Sequence, residues 1–248
     1  MFNLFSKSRG KEQVKTDFGL LKTDIHSHLI PGIDDGSPDM ETSLHLIRGM
    51  AELGYSKLIT TPHIMWDMYR NTREGILEKL EVLRAAVKQE GIKIEINAAA
   101  EYFLDEHMEQ MIRKNEPLLP ISGNMILVEF SLAFPSHSVK DILFEMQMQG
   151  YLPVIAHPER YTYLEKNKDF YDEMKDIGCL FQLNVLSLGN GYGKSVNELA
   201  QYLIKKGYYD LVGTDLHHAR HLEGLRHSSL STPLKKLLDS GTIRNSQL

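Results

Sequence analysis

Seven short apolar runs of strand-like composition alternate with segments of helical spacing along nearly the whole chain, and this alternation limits the fold more than any other feature. The runs are "LKTDIHSH", "YSKLITTPH", "IKIEINAAAEYF", "NMILVEFS", "YLPVIAHPER", "CLFQLNV" and "YDLVGTDLH", rich in the Ile, Val, Leu, Tyr and Phe that suit a pleated sheet. Between them "DMETSLHLIRGMAELG", "NTREGILEKLEVLRAAVKQEG", "SVKDILFEMQMQG" and "SVNELAQYLIKKG" place apolar residues three or four positions apart. Each closes on Gly, the residue that most easily takes the left-handed conformation ending a helix. Strand, helix and next strand pack as a right-handed crossover, so the expected product is a parallel sheet, open or closed into a barrel. The 248 residues suit one α/β domain of this kind. No Pro/Gly/Ser-rich linker, fixed-period repeat or low-complexity tract divides it. Residues 21–248 therefore read as a single domain after a flexible N-terminal segment, 1–20. A closing helix is expected from Pro233 to Ser240, followed by a polar end that frays.

Charge narrows the function classes. The net charge of −5 gives no basic field to collect phosphates of nucleic acid. A single cysteine, Cys179, excludes an internal disulfide and fits a reducing, cytoplasmic location. The N-terminus, "MFNLFSKSRGKEQVK", has Phe2, Leu4 and Phe5 but no apolar run fit for a signal peptide, and it reads as a frayed end rather than a peripheral membrane contact. No stretch is long and apolar enough to span a bilayer.

The strand candidates share an ending. His26 and His28, His63, Glu101, Glu129, His157, then Asp215 and His217 close six of the seven runs. Each alone is ordinarily a hydrogen-bonded or exposed side chain. In a parallel α/β fold, however, all strand C-termini lie on one face, so residues spread across most of the chain converge there. "HSH" and "TDLH" repeat their ligand types every second position, which puts each pair on one side of an extended segment. Imidazole and carboxylate without thiolate suit Mn, Fe or Zn. So many ligands exceed one ion's needs and point to two or three ions bridged by Glu101, which would activate a hydroxide and clamp the oxygens of a phosphoryl displacement. Arg160 in "HPERY" and Arg220 in "DLHHAR" follow ligand-bearing strands and offer forks for phosphate. His218, His221 and His227 crowd the same end and read mainly as solvated or supporting groups.

Four other signals fail. "SLGNGYGKS" has Leu188 where a phosphate-binding P-loop needs its first Gly, and reads as a flexible loop rimming the site. Cysteine-phosphatase chemistry needs an Arg six positions after Cys179, where Val185 stands, so Cys179 reads as a buried thiol. "FEMQMQG" reads as helix packing, and Glu165 to Asp176 as a solvated helix face.

The ordered set "DIHSHLIPGIDDGSPDMETSL", "GYSKLITTPHIM", "AAAEYFLD", "ILVEFS", "PVIAHPERY", "FQLNVLSLGNGYG" and "LVGTDLHH" resembles the PHP (polymerase and histidinol phosphatase) superfamily. Within it, the set is similar to the CpsB/YwqE-type manganese-dependent tyrosine-protein phosphatases of capsule and exopolysaccharide synthesis. The resemblance implies a distorted (β/α)7 TIM-like barrel with three Mn2+ ions at its C-terminal face. By motif, His26, His28 and Asp215 with bridging Glu101 would hold one ion, Glu101, Glu129 and His157 a second, and Asp35, His63 and His217 a third. Gly32 and Gly36 would let the loop fold back so that Asp35 reaches the metals, with Asp34 supporting or exposed. Arg160 matches the family's phosphate-binding arginine, while its second arginine is met here by Leu222, leaving Arg220 ahead of Arg226 as the substitute. His157, His217 or a water would protonate the leaving phenolate. The implied partner is a phosphotyrosine protein, the tail of a bacterial tyrosine kinase. The alternatives are a histidinol-phosphate or other small phosphomonoester phosphatase of the same superfamily, a nuclease acting at a 3′ end, and a non-catalytic metal-dependent phosphopeptide binder.

Overall fold

The computed structural model describes residues 17–134, 138–189 and 191–248. The N-terminal tip with Phe2, Leu4 and Phe5 lies outside the described residues. In chain order the elements are β1 (Thr23–Asp24), α1 (Met40–Glu52), β2 (Lys57–Thr60), β3 (His63–Ile64), α2 (Arg73–Gln89), β4 (Glu95–Ala98), β5 (Glu101–Phe103) and α3 (Glu106–Arg113). They continue with β6 (Met125–Glu129), α4 (Val139–Met148), β7 (Leu152–Ala156), α5 (Asp169–Asp176), β8 (Leu180–Asn184), α6 (Lys194–Lys206), β9 (Leu211–Gly213), α7 (Ala219–Leu225) and α8 (Ser231–Leu238).

Local chemistry accounts for the helix ends. The side chains of Asp39, Thr72 and Asp105 accept from backbone N–H groups in the first turns of α1, α2 and α3, satisfying donors that have no intrahelical partner. Gly207 ends α6 at φ 70°. The anticipated packing role of "FEMQMQG" holds for one face only: Met146 is buried, whereas Phe144 and Met148, one turn apart, are 62% and 72% exposed. In α5, Tyr171 and Met174 are buried and the acidic face is turned to solvent.

All named strands pair in parallel, as the alternation predicts. They form a three-stranded sheet in the order β1-β2-β4 and a six-stranded sheet in the order β3-β5-β6-β7-β8-β9. Each expected run "YSKLITTPH" and "IKIEINAAAEYF" is thus split in two. Pro62, which has no N–H to donate, lies in the first gap. Glu101 N–H still donates to the Pro62 carbonyl at 3.1 Å and Ala99 N–H to that of Thr60 at 2.9 Å, so the chain path runs straight across both breaks. An isolated parallel bridge joins Ser27 to Leu216. β6, β7 and β8 are buried nearly throughout, as strands covered on both faces must be.

The polar C-terminal end does not fray as expected. Asn245 is fully buried; its amide donates to the carbonyls of Thr23 and Val212 and accepts from Val212 N–H. One side chain ties the end of the chain across β1 and β9. At the other end Phe18 is buried and stacked on Tyr55, with ring centroids 5.3 Å apart. Among the described residues no helix is long and apolar enough to cross a membrane.

Candidate metal centre

Parallel pairing delivers the ligand-type side chains to one end of the sheets. His26 and His28 follow β1 and flank Ser27, whose bridge to Leu216 keeps the segment extended and both rings on one side. His63 opens β3 and pairs in register with Glu101, which opens β5. Glu129 closes β6, His157 follows β7 directly, and Asp215 and His217 follow β9. All are buried or nearly so except Asp35, whose side chain is half exposed.

Their spacing fits that of ligands around ions. His26 Nε2 lies 3.2 Å from Glu101 Oε2 and 3.4 Å from Asp215 Oδ1. His28 Nε2 lies 3.4 Å and 3.6 Å from the same two atoms. His157 Nε2 is 3.4 Å from Glu101 Oε1 and 3.5 Å from Glu129 Oε1. His63 and His217 each place Nε2 3.5 Å from Asp35 Oδ1. Ligands held at about 2.1 Å from one ion stand roughly 3.0 to 3.4 Å apart in octahedral or tetrahedral arrangement. Four groups meet such a criterion, with ligand atoms within 4.8 Å of one another: His28, Asp35, His63 and His217; His26, His28 and Glu101; His26, His157 and Asp215; and His63, Glu101 and Glu129. They share members, so the nine expected residues form one interleaved cluster. Both Glu101 oxygens, His63 Nδ1 and His157 Nδ1 are buried and, among the described residues, accept or donate no hydrogen bond. The orphaned Glu101 oxygens, which face the imidazoles of the cluster, fit a divalent cation.

The groups of the cluster shift one another's protonation in both directions. Burial and the neighbouring Glu101 push the Glu129 carboxyl well up. Burial opposes ionisation of Glu101 too, but His26 and His63 overcome it and hold its carboxyl well below the usual range. Burial disfavours the His26 imidazolium, yet Glu101 and Asp215 lift its pKa to about 9. Burial and then Arg160 lower that of His157 to about 4, which keeps its ring neutral as a ligand must be.

A second layer aims these rings. His26 Nδ1 meets Gln182 Oε1 at 2.8 Å, and His28 Nδ1 meets Asp34 Oδ2 at 2.8 Å. Each leaves the opposite nitrogen, Nε2, for the cluster. Asp34 also accepts from the N–H groups of His63 and Gly36, so it is a buried organiser of the loop rather than an exposed residue. Asn184 donates to Asp215 Oδ2 at 3.0 Å. The loop folds back as expected: Gly32 has φ 67°, and a Cβ on Gly36 would lie 2.3 Å from His28 Cβ. His157 and Asp215 themselves occupy left-handed backbone, φ 32° and 52°, a strained conformation that turns each side chain out of its strand's alternation.

The cluster floors a cavity of about 520 Å³. Arg160, in the short 3-10 turn after His157, lines it; its Nη1 donates to Asp215 Oδ2 at 2.7 Å and its guanidinium stacks 4.8 Å from the Tyr192 ring centre. Arg220 is exposed on α7 and does not line the cavity, and Arg226 is paired with Glu52 and Glu223. His218 and His221 do line it; His221 Nδ1 donates to the Asp215 carbonyl. Cys179 is buried, with its thiol pushed up to about 12 by burial. Sequence reasoning missed Gln182, Asn184 and Tyr192. The first two were discoverable, since polar residues alternate in "FQLNV", part of the one expected strand run that ends without a ligand type.

Residues 22–236 match the family described as "Capsular polysaccharide synthesis, CpsB/CapC". The chain is 27% identical over 197 residues to tyrosine-protein phosphatase YwqE of Bacillus subtilis, covering 79% of this chain and 78% of that one. It is 30% identical over 202 residues to tyrosine-protein phosphatase CpsB of Streptococcus pneumoniae, covering 79% and 82%. A solved structure from the work on YwqE and CpsB, described as unique metal-dependent tyrosine phosphatases, superposes with a TM-score of 0.78 at 26% identity over 86% of both chains. The fold alone is shared with the lactonase Lmo2620 from Listeria monocytogenes, at a TM-score of 0.54 and 13% identity over 94% of this chain and 90% of that one. By the extent of the family match, the chain belongs to the CpsB/CapC family of capsular polysaccharide synthesis.

Proposed function

We propose that the chain is a metal-dependent protein tyrosine phosphatase, a phosphoric monoester hydrolase that does not use cysteine. The observation that carries this reading is the convergence of nine imidazole and carboxylate side chains at ligand spacing beside Arg160, seven of them lining one open cavity with His26 and His28 buried beneath. The names of the relatives supply the substrate class. The bridge from Ser27 to Leu216 joins the first strand path to the last, and we read the two sheets as one distorted seven-stranded barrel, a single domain over residues 21–248.

In this reading Glu101 would be shared between sites, with His26, His28 and Asp215 holding one ion, Glu129 and His157 a second, and Asp35, His63 and His217 a third. The ions would be three Mn2+, with Fe or Zn as substitutes of similar ligand preference. When bound, they supply Lewis-acid polarisation of phosphoryl oxygens and lower the pKa of water for in-line attack. Arg160 has one donor committed to Asp215 and gives its others to the phosphoryl oxygens, whose charge grows in the transition state. Asn184 and Tyr192 hold that arrangement in place. His157 and His217 direct Nε2 at carboxylates and act as ligands, so the departing phenolate takes its proton from water. Arg220, outside the cavity lining, has no part. The physiological substrate is a phosphotyrosine protein, the tail of a bacterial tyrosine kinase in capsule or exopolysaccharide synthesis, met in the cytoplasm.

The test is phosphate release from a tyrosine-phosphorylated peptide, beside histidinol phosphate and single-stranded DNA, with Mn2+ and then with chelator. Chelator-sensitive turnover of the peptide alone is expected. Preference for histidinol phosphate or DNA overturns the substrate assignment, and metal binding with no turnover of any substrate overturns catalysis.

A further inference from the structure

The floor of the cavity is charged, but one wall is apolar. Phe103 stands two residues beyond Glu101 on β5, so it shares that strand face and lies about 6.6 Å further out. Tyr102 between them turns into the core, where its hydroxyl accepts from Leu119 N–H. Phe103 is level with Glu129 in the register, and the chain leaving Glu129 brings Leu132 to the same cavity. From β3, a turn closed by hydrogen bonds between Met65 and Tyr69 carries Met68 to the opening and stacks Tyr69 on His63, centroids 5.5 Å apart. Met68 is 62% and Leu132 37% exposed, both lining this cavity. Arg160, His217, His218 and His221 line it as well, and they share no such apolar character.

Large apolar side chains left in water beside a charged floor are the signature of a ligand with two unlike ends. A phosphoryl group at the carboxylate cluster and Arg160 projects its ester substituent outward, to the level of Phe103. A phenol places a flat ring there; an alkyl ester such as phosphoserine has only a short chain. We propose that Phe103, Leu132 and Met68 are specificity-determining residues that seat the phenyl ring of phosphotyrosine. This inference rests on the phosphatase reading above and names the part of the site that selects aryl over alkyl esters. The apolar contact is separate from the groups that hold phosphate, so it acts on the ring and leaves phosphoryl binding unchanged.

Binding of phenylphosphonate and methylphosphonate to the Mn2+-loaded protein, measured by calorimetry, isolates the ring because neither is hydrolysed. The wild type is expected to bind the phenyl compound more tightly. Phe103→Ala should weaken phenylphosphonate about fivefold or more and leave methylphosphonate within about twofold. Met68→Ala, at a largely exposed position where folding is not at stake, should give a smaller loss in the same direction. Equal losses for both phosphonates, or none in either variant, overturn the assignment. If the wild type still hydrolyses the phosphotyrosine peptide in that case, the phosphatase reading stands without the slot; a wild type that neither hydrolyses the peptide nor binds either phosphonate loses both.

Discussion

Replacing Glu101 by Gln keeps the volume of the side chain and removes its charge, so the effect is not that of a cavity. Glu101 is 1% exposed, and four imidazoles, those of His26, His28, His63 and His157, face its two oxygens at 3.2 to 3.4 Å. It belongs to two of the candidate ligand groups. If each of two sites loses about 100-fold in affinity, each forfeits about 2.7 kcal/mol of cation-linked stability, together about 5 kcal/mol. For a chain of this size that corresponds to roughly 10 to 20 °C less stabilisation by Mn2+. In chelator the difference vanishes. Glu101 is the charge that balances His26, but it also repels Glu129, so the two losses oppose and the chelated melting temperatures should nearly coincide. The assay is thermal unfolding of both proteins across a Mn2+ series, with metal content measured after desalting. Glu101→Gln protein that retains the wild-type metal content and the wild-type Mn2+-dependent rise would refute the bridging role.

Three further outcomes follow from particular contacts. Tyr192→Ala removes the ring stacked on Arg160 and should raise KM for an aryl phosphate several-fold with a smaller change in kcat, as expected for about 1 kcal/mol of cation–π support; steady-state kinetics beside Tyr192→Phe checks it, since Phe keeps the stack. Gly36→Ala would put its methyl 2.3 Å from His28 Cβ and from the His28 carbonyl oxygen, and should cost about 1–3 kcal/mol of stability while weakening metal binding, read by chemical denaturation and metal content. Cys179, with its pKa raised to about 12 by burial, carries at pH 8 a thiolate fraction of roughly one in ten thousand. Iodoacetamide should therefore label it only when denaturant is added, and the native rate should climb as pH rises towards 12; rapid labelling at pH 8 without denaturant would contradict the burial.

The strand and helix pattern was legible because it is local. Alternation in "EYF" sends Tyr102 inward and Glu101 with Phe103 to the site, and period two or 3.6 is a property of neighbouring residues. The ends "HSH", "TDLH" and "HPER" were legible for the same reason, since parallel strands must deliver their C-terminal residues to one face. Departures occur where a distant partner decides. Asn245 looked like part of a loose polar tail, but it bonds Thr23, 222 residues away. Arg220 and Arg160 both follow a ligand-bearing strand; the 3-10 turn after His157 brings Arg160 to the cavity, whereas α7 carries Arg220 to its outer surface.

The sequence alone determined the parallel α/β class, the ligand-type residues at the strand ends and the lack of a P-loop or cysteine-phosphatase pattern, all consequences of residue type and short-range spacing. Only the tertiary structure decided which buried polar groups aim those ligands. Gln182 reaches His26 across 156 positions, Asn184 reaches Asp215, and Asp34 turns back on His28. The same holds for the left-handed backbone at His157 and Asp215 and for the apolar wall above the carboxylates. These depend on sheet order, register and the return paths of loops, and the physical reason is that a hydrogen bond or a steric contact is set by positions in space that no local periodicity encodes.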